Sequence, residues 1–176
     1  MRVFVLFGFL VLLFAVVFVR TRLKSSNVSR LNWDELLARL EPVSVDGIST
    51  IAEDYLQPTK GQISLEPTEL WTLVGGADGL QRMYANAEIL MAIAGYAQRW
   101  NFDESVVVCE RMRNDGVVLR RAMFKLLIGV FLGNNKILGP FRIQEAASAY
   151  YLMRQRLLAL YESSHAGRYS TLVAAL

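Results

Sequence analysis

This chain is short of the residues that carry most protein chemistry. Its 176 residues include one cysteine, Cys109, one histidine, His165, and four prolines. A single thiol cannot close an intramolecular disulfide. A single imidazole excludes the paired Glu-x-x-His ligands of a di-iron bundle. With one Cys and one His together, a structural zinc site of Cys and His ligands is excluded as well. A Ser-His-Asp or Cys-His catalytic arrangement would require His165, which stands in Ser163-Ser164-His165-Ala166-Gly167 and reads as a solvated loop residue. Cys109 ends the apolar patch Val106-Val107-Val108-Cys109, which suits a buried, inert thiol. No motif names a reaction, and no metal or cofactor is implied.

What the chain does have is one unbroken apolar run, Val3 to Val19, in which fifteen of seventeen residues are Val, Leu or Phe, with Arg2 and Arg20 on either side. Seventeen helical residues span roughly 25 Å, and flanking arginines can snorkel to make up the rest of a bilayer core of about 30 Å. At about −0.3 to −0.6 kcal/mol per Leu, Val or Phe, the run contributes on the order of −4 to −9 kcal/mol to insertion, as an upper bound. A cleaved secretory signal is the rival reading. It needs small residues at a cleavage site, whereas here the run ends in Val16-Val17-Phe18-Val19-Arg20. The expectation is an uncleaved signal-anchor, a single-pass transmembrane helix over 1–20. Arg20, Arg22, Lys24 and Arg30 follow it, against Arg2 before it, so the positive-inside tendency puts the C-terminal domain in the cytoplasm.

The formal charge of +3 and pI near 9.2 invite a nucleic-acid reading, which the distribution of charge argues against. All sixteen acids lie after residue 31, while five of the nineteen bases lie before it. The remainder therefore has fourteen bases against sixteen acids, a net of −2, and the basicity belongs to the membrane flank facing anionic lipid. Residues 31–104 carry −8 and residues 105–176 carry +6. The plain reading is two halves that fold against each other. The sharper one is a face of Arg111, Arg113, Arg120, Arg121 and Lys125 that meets an anionic partner.

Helix punctuation dominates and strand signals are weak. After a basic tether at 21–31, the spacing predicts one all-α domain of five to six helices over 32–163, and a tail at 164–176. Asn32 with Glu35 has the form of a capping box for a helix Trp33–Leu40, stopped by Pro42. Asp46 caps a helix to Leu56, and Ser64 one that carries Pro67 in its first turn and ends at Gly75-Gly76. A fourth runs from Ala77 or Asp78 to Trp100. A fifth follows the capping box Asn101/Glu104, carries Val106 to Leu132 and has a kink at Asn114-Asp115-Gly116. Gly139-Pro140 opens the sixth, Phe141 to Ser163. The segment Ala122–Gly133 is apolar nearly all round yet too short to span a bilayer, so it reads as a core helix, or as a segment lying on the membrane.

Two candidates for chemistry stand out. The glycine-rich Val74-Gly75-Gly76-Ala77-Asp78-Gly79 precedes a helix, but it follows a helix rather than a strand and lacks the phosphate-loop pattern, so a helix-to-helix turn explains it better. Glu88 lies in the most apolar stretch of the fourth helix, where a carboxylate is costly to bury unless paired. Its partner must come from another helix, and the Arg111–Arg121 cluster is the nearest supply. The dense charge run from Glu110 to Arg120 otherwise reads as a solvated face.

The functional expectation is a membrane-anchored helical scaffold or subunit that binds a protein partner, without nucleic acid or metal. An alternative is an enzyme on a lipid or lipid-linked substrate that uses Glu53, Asp54 or Glu88; a cleft lined by convergent polar residues would favour it. Lipid binding through the basic segment is the third reading.

Overall fold

A computed structural model describes residues 31–58, 65–97, 102–131, 135–164 and 166–176. The expected anchor and tether, with Arg2, Arg20, Arg22, Lys24 and Arg30, lie outside the described residues. The chain divides after Asn32, and Trp33–Leu176 forms a unit of its own. That unit is all-α. Seven helices are present among the described residues: α1 (Trp33–Leu37), α2 (Val45–Leu56), α3 (Pro67–Leu73), α4 (Gly76–Ala97), α5 (Phe102–Phe131), α6 (Asn135–Ser164) and α7 (Ala166–Ala175). Among the described residues no helix is long and apolar enough to cross a membrane.

The axis of the fold is α6, which packs against α2, α3, α4, α5 and α7. Seven of the eight residues 143–150 are buried, so this helix has no solvent face along that stretch. Ala146, Ala147 and Ala149 keep its girth small there, and neighbours on several sides can come close. α4 and α6 run parallel, since Asn86 meets Tyr150 and Ile93 meets Tyr161. α5 runs against α6, with Asp115 paired to Arg156 and Gly116 beside Met153. The core threads between these three helices through Met83, Leu90, Ile93, Met112, Leu119, Met153 and Leu157, all fully buried.

Several boundaries differ from expectation, each for a tertiary reason. α1 stops at Leu37, and a tighter turn follows, with the Arg39 and Leu40 N–H groups donating to Leu36 and Leu37. The chain is pulled over there because Asn86 of α4 holds the Glu41 backbone at both its N–H and its C=O. α5 passes through Asn114-Asp115-Gly116 without interruption. The contacts of that segment with α6 outweigh its turn propensity. α6 starts at Asn135, ahead of Gly139-Pro140, and keeps Pro140 inside the helix at the loss of one backbone hydrogen bond. The expected tail at 164–176 carries α7, which buries Leu172 completely and brings the total above the five to six helices expected.

Three glycines explain the α3–α4 corner. Gly75 and Gly76 have φ of 79° and 66°, a region that L side chains avoid. A Cβ on Gly79 would overlap the Val74 carbonyl. The glycine-rich segment is therefore a helix-to-helix turn, not an anion cradle.

Candidate functional site

Three places bring polar, charged or exposed apolar groups together. The first is interior. Asn86 of α4 is 1% exposed and makes three hydrogen bonds: its Oδ1 accepts from Glu41 N–H at 2.9 Å, and its Nδ2 donates to Glu41 O at 2.7 Å and Tyr150 Oη at 3.2 Å. Burial pushes the Tyr150 hydroxyl above the ordinary tyrosine value, partly offset by the Asn86 contact and by Arg154. Lower on the same helix pair, Tyr161 Oη donates to Ile93 O at 3.0 Å, and burial raises its pKa strongly. Trp33 stacks at 4.7 Å from Tyr161 and 5.9 Å from Tyr96, and the Arg168 guanidinium of α7 lies 5.2 Å from the Trp33 ring and 5.4 Å from the Tyr96 ring. The Tyr150 and Tyr161 hydroxyls tie α4 to α6 and Asn86 ties α4 to the α1–α2 connection, and a tyrosine held neutral is no general base at pH 7.

The second place is a groove of about 570 Å³ where α3 meets the α5–α6 hairpin. Pro67, Thr68, Trp71 and Thr72 of α3, Leu126 of α5, and Gly139, Pro140 and Ile143 of α6 line it. The Thr72 hydroxyl is engaged with Thr68 O at 3.0 Å. No titratable side chain lines it among the described residues. It suits an apolar guest rather than a reaction.

The third is the outer side of α5. Arg111, Arg113, Arg120, Arg121 and Lys125 are all exposed. Arg113 pairs with Glu110 at 2.7 Å and Arg120 with Glu88 at 3.5 Å, the Arg120 side chain remaining 55% exposed and that of Glu88 16%. Glu88 is thus half-buried at the α4–α5 seam, with its base supplied by the cluster named above. Arg111 contributes its backbone carbonyl to Arg156 at 3.4 Å. Burial and the Arg111 charge hold Arg156 below the usual arginine range, and Asp115 opposes it across the α5–α6 seam.

The acids suggested for catalysis serve separate contacts. Glu53 is exposed, Asp54 accepts from Leu65 N–H at 3.4 Å, and Glu88 faces Arg120. No group of three or more His, Cys, Asp or Glu side chains capable of holding a metal ion occurs among the described residues. Cys109 is buried, 4% exposed, on the inner side of α5. His165 lies outside the described residues.

The sequence reading missed Asn86, Trp71 and Arg168. A lone Asn two residues before Glu88 in an apolar stretch was the available signal for the first. Trp71 looked like an ordinary apolar position of a short helix, and Arg168 stood in a segment read as tail. No protein-family model, curated protein or solved structure matches this chain.

Proposed function

We propose that this protein is a single-pass, membrane-tethered helical subunit that works by binding a protein partner, its C-terminal domain on the cytoplasmic side. The observation that carries the reading is the apolar run Val3–Val19 between Arg2 and Arg20, next to a domain whose buried Asn86, Tyr150 and Tyr161 spend their polar groups on contacts within the fold rather than round a reacting centre. The groove beside α3 supports the binding half of the reading. Trp71 at its edge is 43% exposed, and an indole held open to water beside Pro67, Pro140 and Ile143 gains by covering with an apolar side chain. The alternative, an enzyme on a lipid-linked substrate, asks for convergent polar residues in a cleft, and the groove offers apolar walls instead.

The test is a photo-crosslinking residue placed at Trp71 in the full chain, with Arg39, exposed on the turn after α1, as control. A discrete protein adduct at position 71 and none at 39, retained after gentle detergent extraction, supports the proposal. A chain that elutes as a bare monomer with no adduct from either position overturns it. A C-terminal topology reporter tests the compartment separately.

A further inference from the structure

The outer face of α5 carries exposed apolar residues along a single line, with basic residues on its flanks. At about 100° per residue, Val106, Val117 and Phe124 fall within about 20° of one another. They are 40%, 38% and 58% exposed, and Phe124 is the most exposed of the large apolar side chains described. Arg113, Arg120 and Arg121 lie within roughly 60° of that line, as does Glu110, and Lys125 stands about 100° round from Phe124. The stripe is about 28 Å long from Val106 to Lys125 at about 1.5 Å per residue. Its acids are already matched, Glu110 by Arg113 and Glu88 by Arg120. Arg121 and Lys125 have no acidic partner among the described residues, so the face carries a net positive charge around its most exposed ring.

We infer that this face of α5 rests on an anionic lipid surface, with Phe124 and Val117 entering the headgroup boundary and Arg113, Arg120, Arg121 and Lys125 against lipid phosphates. The composition favours lipid over an acidic protein. The stripe lies along one helix, α5, and a fluid planar surface accepts its side chains without a preformed pocket. An aromatic ring flanked by arginine and lysine is the composition that such a boundary takes: the ring leaves water, while the long basic stems keep their charges at the headgroups. The membrane tether proposed above is used only to bring the lipid near.

The experiment uses the full chain in lipid nanodiscs of phosphatidylcholine, alone or mixed with phosphatidylserine. A Phe124→Cys variant carrying an environment-sensitive fluorophore is compared with Glu69→Cys, exposed on α3, each also carrying Cys109→Ala so that only the new thiol is labelled. Spin-labelled lipid serves as quencher. The label at 124 is expected to shift to the blue and be quenched in anionic discs, and the label at 69 to respond in neither. Arg121→Gln with Lys125→Gln, both exposed, should lower the docked-to-free ratio roughly 25-fold, about fivefold per base, and salt should act in the same direction. A label at 124 that stays in water in both lipids overturns the inference, as does one shielded only when an acidic protein is added. Alkaline extraction of the same protein from vesicles reports on the tether by itself. A chain washed out by alkali whose position 124 still docks on anionic vesicles removes the tether and leaves this contact standing.

Discussion

Replacing Asn86 tests whether the α1–α2 connection is held by one buried amide. The Asn86 side chain is 1% exposed and makes three hydrogen bonds, at 2.9 and 2.7 Å to the Glu41 backbone and 3.2 Å to Tyr150 Oη. Asn86→Ala removes all three and leaves the Tyr150 hydroxyl short of a partner in the core. Each bond contributes about 1 kcal/mol net, and a buried group left unsatisfied costs about 1–3 kcal/mol. The Glu41 groups are only part-buried, so water can replace some of what they lose. The expected loss is therefore about 2–3 kcal/mol, or a fall of roughly 6–10 °C in Tm for a domain of this size. Tyr150→Phe breaks one of the three bonds and should cost about 1 kcal/mol. Asn86→Leu restores volume but not hydrogen bonding, and should recover little. The assay is urea unfolding followed by circular dichroism, reading the midpoint at unchanged slope. A loss under about 1 kcal/mol for Asn86→Ala, or a full recovery with Leu, refutes the reasoning, because the amide would then be filling space rather than tying the backbone.

Alkali should unfold the domain through its buried tyrosines. Tyr150 and Tyr161 both have folded-state pKa values raised above the ordinary 10.0. Their protonated forms are favoured in the native state, so stability is fully present below pH 10 and falls as pH rises beyond it, by up to about 1.4 kcal/mol per pH unit for each; Tyr161→Phe should flatten that slope, and an unchanged alkaline limb would contradict it. Arg168→Ala should remove the guanidinium from the Trp33 and Tyr96 rings and cost about 1–2 kcal/mol. A red shift of tryptophan emission should accompany it, and the absence of any change in stability or emission would show that α7 does not shield Trp33. Glu88→Gln should cost less than about 1 kcal/mol, since the Arg120 side chain opposite is 55% exposed and screened by water. A loss of several kcal/mol on thermal unfolding would mean that the carboxylate is a buried partner after all.

The helical class was legible because apolar residues recur at three- and four-residue spacing and glycine or proline punctuates them. Gly75-Gly76 marked the α3–α4 corner correctly, since two successive left-handed positions require residues without a side chain. A signal of the same kind misled at Gly139-Pro140, since α6 starts ahead of it at Asn135, while Asn114-Asp115-Gly116 leaves α5 one continuous helix. Turn propensity there is a matter of tenths to a few kcal/mol, and contacts between two thirty-residue helices exceed it. The α5 bases were visible as a cluster, and spacing pointed to Arg113 beside Glu110 and to the cluster as the supply for Glu88; that Arg120 is the member that reaches Glu88 was not visible, because the two stand thirty-two residues apart on different helices.

Local periodicity and composition by themselves determined the all-α character, the position of the apolar run, and the poverty of ligands for zinc or di-iron chemistry. Those properties depend only on neighbours in the chain or on residue counts. Tertiary structure decided that α6 is the axis, that Asn86 clamps Glu41, that Arg168 covers Trp33, and that Phe124 is left outside on a basic face. Each of these depends on which side of a helix meets another helix. That choice minimises exposed apolar area over the whole domain at once, so no window of sequence contains it.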